Sequence, residues 1–366
     1  VKTTTLHANI RNYRYMSLDG RNDEMDGVRT IPMSRRKFLS LLGVAPLAPL
    51  LTRIPIKAIH RSSIGQSLHI VAVNTNGDLL YTIRFNSGEW QSFWSDIGAS
   101  AQLGPTRFAD AGCGGWFRDL HVLGITTDGE AWHTIRSLPD TWQRFRNLQA
   151  GPGQPGVFTR ITCAIASSSD NAPTHILGVT SNGWLWHSIR FRDDWQQFNQ
   201  VQPVAGFIGR VVDVACAGDL DVVALTDDGQ LWHTVRYEDG SWEAFTQLPG
   251  GPGVTGFFTG VSFANYPLQV LGISSDGTLW HSIREDGNWQ HFNQVQPVAG
   301  DIGVVVDVSC AAPDDNLLHV VALTDDGQLW HASRRDIDGT WNPFNNINTA
   351  VSGDSRFIAV SATASA

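Results

Sequence analysis

One motif written six times governs what this chain can become. It reads apolar strand, Thr/Ser-x-Asp/Asn-Gly, x-Leu-Trp-His-Thr/Ser-Ile-Arg, then Trp-x-x-Phe. The copies begin at residues 69, 121, 175, 222, 270 and 319. Their turn glycines, Gly77, Gly129, Gly183, Gly229, Gly277 and Gly327, are 52, 54, 46, 48 and 50 residues apart. A near-fixed period of this length restricts a chain to solenoids, propellers or arrays. Asn-Gly or Asp-Gly between two apolar runs is a hairpin signature, because both residues tolerate positive φ. The Trp-x-x-Phe stretch supplies a further, outer strand. Runs such as FTRITCA (158–164), VVDVACA (211–217) and FTGVSFA (258–264) supply an inner one. Four short strands in each of six units predict an all-β fold, a six-bladed β-propeller of four-stranded antiparallel blades.

The ends of the repeat predict how the ring closes. The first unit starts at Leu68 without an inner strand, and RFIAVSATA (356–364) is an inner strand left over. Pairing this C-terminal strand into the first blade completes the ring. A second periodicity runs underneath. FNQVQPVAG recurs at 198–206 and 292–300, and VVALTDDGQLWH at 222–233 and 320–331, each two units apart. Blades therefore alternate in type, and sites between blades are expected in two classes of about three.

Charge divides the chain into an extension (1–60) and a single propeller domain (61–366). Of 26 bases and 35 acids, ten bases and four acids fall in the extension. The propeller carries 16 arginines against 31 acids, net −15, and no lysine follows Lys57. Such a body lacks the basic stripe that nucleic-acid binding needs. It also lacks a lysine for Schiff-base, P-loop or kinase chemistry. Within the extension, SRRKFL (34–39) followed by an uncharged run from Phe38 to Leu51 has the form of an export signal, about 33–58. The paired arginines are similar to a twin-arginine motif; an ordinary Sec signal or a retained anchor is the alternative. Ala45 to Ala48 and Pro55 to Ala58 are both candidate cleavage sites, and Met33 is a natural alternative start. The expected location is extracytoplasmic, secreted or periplasmic, with no membrane insertion once the signal is removed.

Most reactive residue types repeat as packing positions. Cys113, Cys163, Cys216 and Cys310 occupy one inner-strand position that elsewhere holds Phe263 and Ala362, so they read as core residues. The histidines His133, His187, His233, His281 and His331 come one per unit without a tight ligand cluster, so neither a metal nor a cofactor is expected. The turns look similar to the Asp-box hairpins of sialidases, but the spacing differs and the body has three tyrosines, Tyr81, Tyr237 and Tyr266. No acid departs conspicuously from the repeat, whereas an active site needs unlike residues in fixed roles. A glycoside hydrolase is the weakest reading; the protein is not expected to be an enzyme.

What remains is the repeated Trp and Arg: Trp132 and Arg136, Trp186 and Arg190, Trp232 and Arg236, Trp280 and Arg284, Trp330 and Arg334, with Arg84 alone in the first unit. Four residues apart in a strand, each pair shares a face. Indole, guanidinium and hydroxyl suit a small polyol. The same residues also serve to glue blades together.

Units such as GVTSNGWLWHSIRF (178–191) and ALTDDGQLWHTVRYEDGSWEAF (224–245) resemble the repeats of the PLL-type bacterial propeller lectins, the fucose-binding family first known from Photorhabdus. They are more distantly similar to tachylectin and tectonin repeats. The resemblance covers 68–366 and implies a multivalent lectin recognising glycans that carry fucose or O-methylated sugars, in shallow sites between blades. Those relatives have seven blades where six are counted here. A non-catalytic propeller that binds protein partners is the rival reading.

Overall fold

The structure, a computed structural model, describes residues 67–365 except 117–118, 139, 166–172, 219, 251–256, 266, 314–315 and 354–355. The expected export signal lies outside the described residues. Six antiparallel sheets follow one another, each meandering from an inner to an outer strand. Blade 2 is representative: inner Phe108–Trp116, second Asp119–Thr126, third Ala131–Ser137, and an outer strand in two short pieces, Thr141–Trp142 and Arg146–Asn147. The inner strands of blades 3 to 6 are Phe158–Ile165, Val211–Ala217, Phe258–Ala264 and Val305–Ala311.

Blade 1 joins the two ends of the domain, as the leftover strand predicts. Its inner strand is Phe357–Ser365, paired antiparallel with Ser67–Asn74, and Leu79–Arg84 and Ser95–Asp96 follow outward. Ser365 Oγ also meets His69 Nε2 at 3.0 Å.

The turn glycines tie neighbouring blades as well as reversing the chain. All six have φ between 77° and 84°, where a side chain is strained. Each offers its carbonyl to the first inner-strand N–H of the next blade, from Phe108 to Gly77 at 2.9 Å round to Phe357 to Gly327 at 3.0 Å. A Cβ on Gly77 would come 2.8 Å from Arg107 Cβ, and one on Gly229 would enter the space of Phe257. Gly229→Ala is therefore expected to cost about 2 kcal/mol or more, from backbone strain plus displacement of the next blade. A denaturant midpoint equal to wild type would contradict this.

Apolar residues fill the interfaces between blades: Val71, Val73 and Tyr81 of blade 1, for example, pack with Leu120, Val122 and Phe145 of blade 2. On the axis, the inner strands enclose a cavity of about 360 Å³ lined by Cys113, Cys163, Cys216 and Cys310 among small and hydroxyl residues. All four cysteines are free, and burial pushes the thiols of Cys113, Cys216 and Cys310 up to about 12.

Below this cavity the alternation of blades takes chemical form. Asp110, Asp213 and Asp307 occupy one inner-strand position of blades 2, 4 and 6, where blades 3, 5 and 1 have Arg160, Gly260 and Ala359. Each carboxylate accepts an N–H of the following blade: Ile161 at 3.1 Å, Val261 at 3.0 Å and Val360 at 2.8 Å. Between blades 5 and 6, and 1 and 2, hydroxyls do this work, Ser262 accepting from Cys310 and Ser361 from Cys113.

Candidate functional site

The third strand of each blade presents two faces to two different neighbours. In blade 2, Trp132 packs against the core that blades 1 and 2 share, and the Arg136 guanidinium lies 5.2 Å over the Tyr81 ring of blade 1. His133 faces the other way, its ring meeting the Trp195 indole of blade 3 edge-on at 5.3 Å. This contact recurs around the ring. The outer-strand tryptophans Trp242, Trp289, Trp341, Trp90 and Trp142 meet His187, His233, His281, His331 and Tyr81 of the preceding blade, with centroids 5.3–5.7 Å apart and planes at 73–86°.

The same hairpins set the arginines beside these outer tryptophans. Arg136, Arg190, Arg284 and Arg334 stand opposite Trp142, Trp195, Trp289 and Trp341 in register. Isolated bridges do the same for Arg84 with Trp90 and Arg236 with Trp242. Arg190 and Arg284 hold their guanidinium carbon 5.9 Å from the Trp195 and Trp289 rings. Each interface thus ends in a groove with an imidazole or phenol as floor, a half-buried indole as wall and a guanidinium at the rim.

The third-strand tryptophans take another place. Each shares a face with its arginine, but four residues of strand separate them by about 13 Å. Trp132, Trp186, Trp280 and Trp330 pack in the interblade cores, and Trp280 is only 4% exposed. They do fall into two classes. Trp186 and Trp280 donate their indole N–H to Thr180 and Ser274 hydroxyls at 3.1 and 2.9 Å. Those of Trp132, Trp232 and Trp330, in blades 2, 4 and 6, are buried without a partner. The aromatic beside each guanidinium is therefore the outer-strand tryptophan. The signal for it was the offset of five to seven residues between each Arg and the next Trp, spanned by a tight turn.

Behind the floor, a second-strand residue pairs with each third-strand ring. Imidazoles pair at 3.1, 3.0 and 2.9 Å in blades 2, 3 and 6: His121 with His133, His175 with His187, His319 with His331. In blade 1 His69 meets Tyr81 at 2.7 Å, and in blade 5 Gln269 meets His281 at 2.9 Å. Blade 4 differs: Asp221 Oδ1 accepts from His233 Nε2 at 2.8 Å. Burial, with a smaller push from neighbouring arginines, lowers His69, His121 and His281 to about 3. Burial and the paired imidazole hold His133, His187 and His331 well below their ordinary value. These rings are neutral packing and hydrogen-bonding groups.

The guanidiniums differ in how far they are already engaged. Arg136 pairs with Asp140 at 2.8 Å and Arg190 with Asp193 at 2.6 Å, both acids lying on the exposed turn. Arg334 lies 3.8 Å from the half-buried Asp336, which also accepts from Gln269 of blade 5. Among the described residues, Arg236 and Arg284 bond backbone carbonyls, Tyr237 at 3.4 Å and Gly287 at 3.1 Å. Among the described residues no group of three His, Cys, Asp or Glu side chains is placed to hold a metal ion, and no helix is long and apolar enough to cross a membrane.

No protein-family model matches the sequence, and no curated protein resembles it in sequence. Solved structures do match its fold. The fucose-specific lectin of Aleuria aurantia aligns at 13% identity over 77% of this chain and 90% of its own, with a TM-score of 0.54. The BP39L lectin of Burkholderia pseudomallei aligns at 18% identity over 77% and 81%, TM-score 0.54. AofleA of Arthrobotrys oligospora aligns at 13% identity over 70% and 75%, TM-score 0.52. At these identities the likeness is one of fold.

Proposed function

We propose that this protein is a multivalent lectin that binds glycans in the grooves between its blades. One observation carries the reading: a guanidinium, a half-buried indole and an imidazole or phenol recur together at all six interfaces. An indole wall packs on the C–H face of a sugar, and a guanidinium fork donates to its hydroxyls. Six shallow sites of modest affinity gain strength by engaging one surface together. Similarity of fold to lectins that bind fucose, and the repeat's resemblance to the PLL-type family, favour fucose or O-methylated sugars, whose methyl groups suit the indole. Export by the twin-arginine route would place the protein among extracytoplasmic glycans.

Binding to a broad glycan array tests this reading, and silence across the array at high protein concentration would refute it. Replacing both Arg236 and Arg284, whose guanidiniums bond backbone carbonyls among the described residues, by Met should lower array binding at least tenfold while leaving the melting temperature near wild type. Unchanged binding would move the sites elsewhere. A protein partner retained in the presence of competing free sugars would favour the protein-interaction reading instead.

A further inference from the structure

The six grooves are alike in plan, but one breaks the pattern at its floor. At the second-strand position that pairs with the third-strand ring stand His69, His121, His175, Asp221, Gln269 and His319. Apart from Asp221 these groups, four imidazoles and an amide, are almost wholly buried. Asp221 is the acid of the set, and 23% of its side chain remains exposed. A carboxylate only accepts hydrogen bonds, so His233 must donate from Nε2, which fixes its tautomer. That bond occupies Oδ1 and leaves Oδ2 for another donor.

This position faces across the interface. At the equivalent place in blade 5, the Gln269 amide reaches Asp336 of blade 6 at 3.1 Å, two residues beyond Arg334. In blades 1 and 2, His69 and His121 feel the charge of Arg136 and Arg190 of the following blade. For Asp221 the corresponding group is Arg284, which has no carboxylate within ion-pairing distance among the described residues. The groove between blades 4 and 5 therefore offers an acceptor and a donor that do not neutralise one another by direct contact. Trp289 bridges His233, the partner of Asp221, and Arg284, meeting the imidazole at 5.7 Å and lying 5.9 Å from the guanidinium.

We infer that the groove between blades 4 and 5 is a site of its own, the tightest of the ring, where Asp221 and Arg284 together grip two neighbouring hydroxyls of a neutral sugar ring. This deepens the lectin reading and rests on it. One hydroxyl donates to the Asp221 carboxylate and the other accepts from Arg284, while the ring's C–H face lies on Trp289. Charge-assisted bonds of this kind are about twice as strong as neutral ones. At the equivalent second-strand positions stand four imidazoles and an amide, and Asp336 beside Gln269 is already engaged by Gln269 and Arg334.

Calorimetric titration of the full domain with monovalent α-methyl fucoside, and with α-methyl mannoside as a second vicinal diol, tests this. Wild type should show one tight site per chain above a weaker set. Asp221→Asn keeps an acceptor for His233 and should weaken that one site about tenfold, leaving the weaker set in place. Asp221→His installs the imidazole pair that blades 2, 3 and 6 already accommodate, and should merge the tight site into the weaker set. Arg190→Met, in the groove between blades 2 and 3, should leave the tight site untouched. A tight site that survives both Asp221 variants, or an isotherm of one class in wild type, would overturn the inference while the lectin reading stands. No heat with either sugar, together with silence on the glycan array, would overturn both.

Discussion

Acidification from pH 7 to 4 should destabilise this protein, with stability falling as pH drops below 6.5. The cause lies in the grooves. His69, His121 and His281 are lowered from 6.5 to about 3, and His133, His187 and His331 well below 6.5, chiefly by burial. Such a ring stays neutral in the native state while the unfolded chain takes up a proton. Its contribution is complete above pH 6.5 and is lost as pH falls toward 3. The axial carboxyls act in the opposite sense. Asp110 and Asp307 are raised to about 6 and 7, and Asp213 is raised as well, again mainly by burial. The native state therefore binds their protons first, and they stabilise the fold as pH drops from about 7 to 3.8. Six histidines lowered against three carboxyls raised leave the balance with the unfolded chain, which takes up more protons as the pH falls below 6.5. Urea denaturation followed by tryptophan fluorescence at successive pH values will measure the slope. A stability that stays flat down to pH 4 would contradict the buried, neutral state of the imidazoles.

Replacing Arg160 by Leu should destabilise the protein by about 2 kcal/mol at pH 8 and by little at pH 5. Asp110, Asp213 and Asp307 share this one inner-strand cation, which is itself held above its ordinary value, first by Asp110 and then by Asp213 and Asp307. Arg160 Nε lies 3.6 Å from Asp213 Oδ1. Breaking a buried pair by removing one partner costs about 3–5 kcal/mol. Here the figure is smaller, because 49% of the Arg160 side chain is open to water, which screens the interaction. Without the guanidinium, the carboxyls hold their protons to still higher pH. The penalty therefore belongs to alkaline conditions, where they are forced to ionise, and disappears once they are protonated. Adding Asp213→Asn to the Arg160→Leu variant should restore much of the stability at pH 8. A penalty independent of pH would mean that Arg160 acts through packing alone.

The turn glycines and the spare C-terminal strand made the fold legible, because blade count, strand order and ring closure depend on elements adjacent in sequence or left without a partner. The position of the arginines was legible for the same reason: strand alternation assigns them a face. Their companions were not, since a groove is built by two blades and its indole, guanidinium and imidazole come from different repeats. The Trp of Trp-x-x-Phe looked like a filler of the outer strand, yet its ring covers the histidine of the preceding blade. Asp221 was hidden by alignment. The repeat, read as starting with His at 69, 121, 175 and 319, starts one residue later in the fourth and fifth units, just past Asp221 and Gln269. Likewise the threefold pattern of Asp110, Asp213 and Asp307 lies at one position of the inner strands, where sequence reading had followed only the cysteines.

The strand that completes blade 1 also sets the tempo of folding. Ser365 meets His69 across 296 residues of chain, so the strand pair that holds this contact bears a large loop-closure entropy. Five blades can assemble from local hairpins while Ser67–Asn74, buried along nearly its whole length in the finished ring, waits with one edge unpaired. For that interval the protein carries an apolar strand edge that any other chain can join. Crowded refolding should therefore lose material to aggregates through this edge, and a free peptide with the sequence of residues 357–365 should rescue it by occupying the gap in trans.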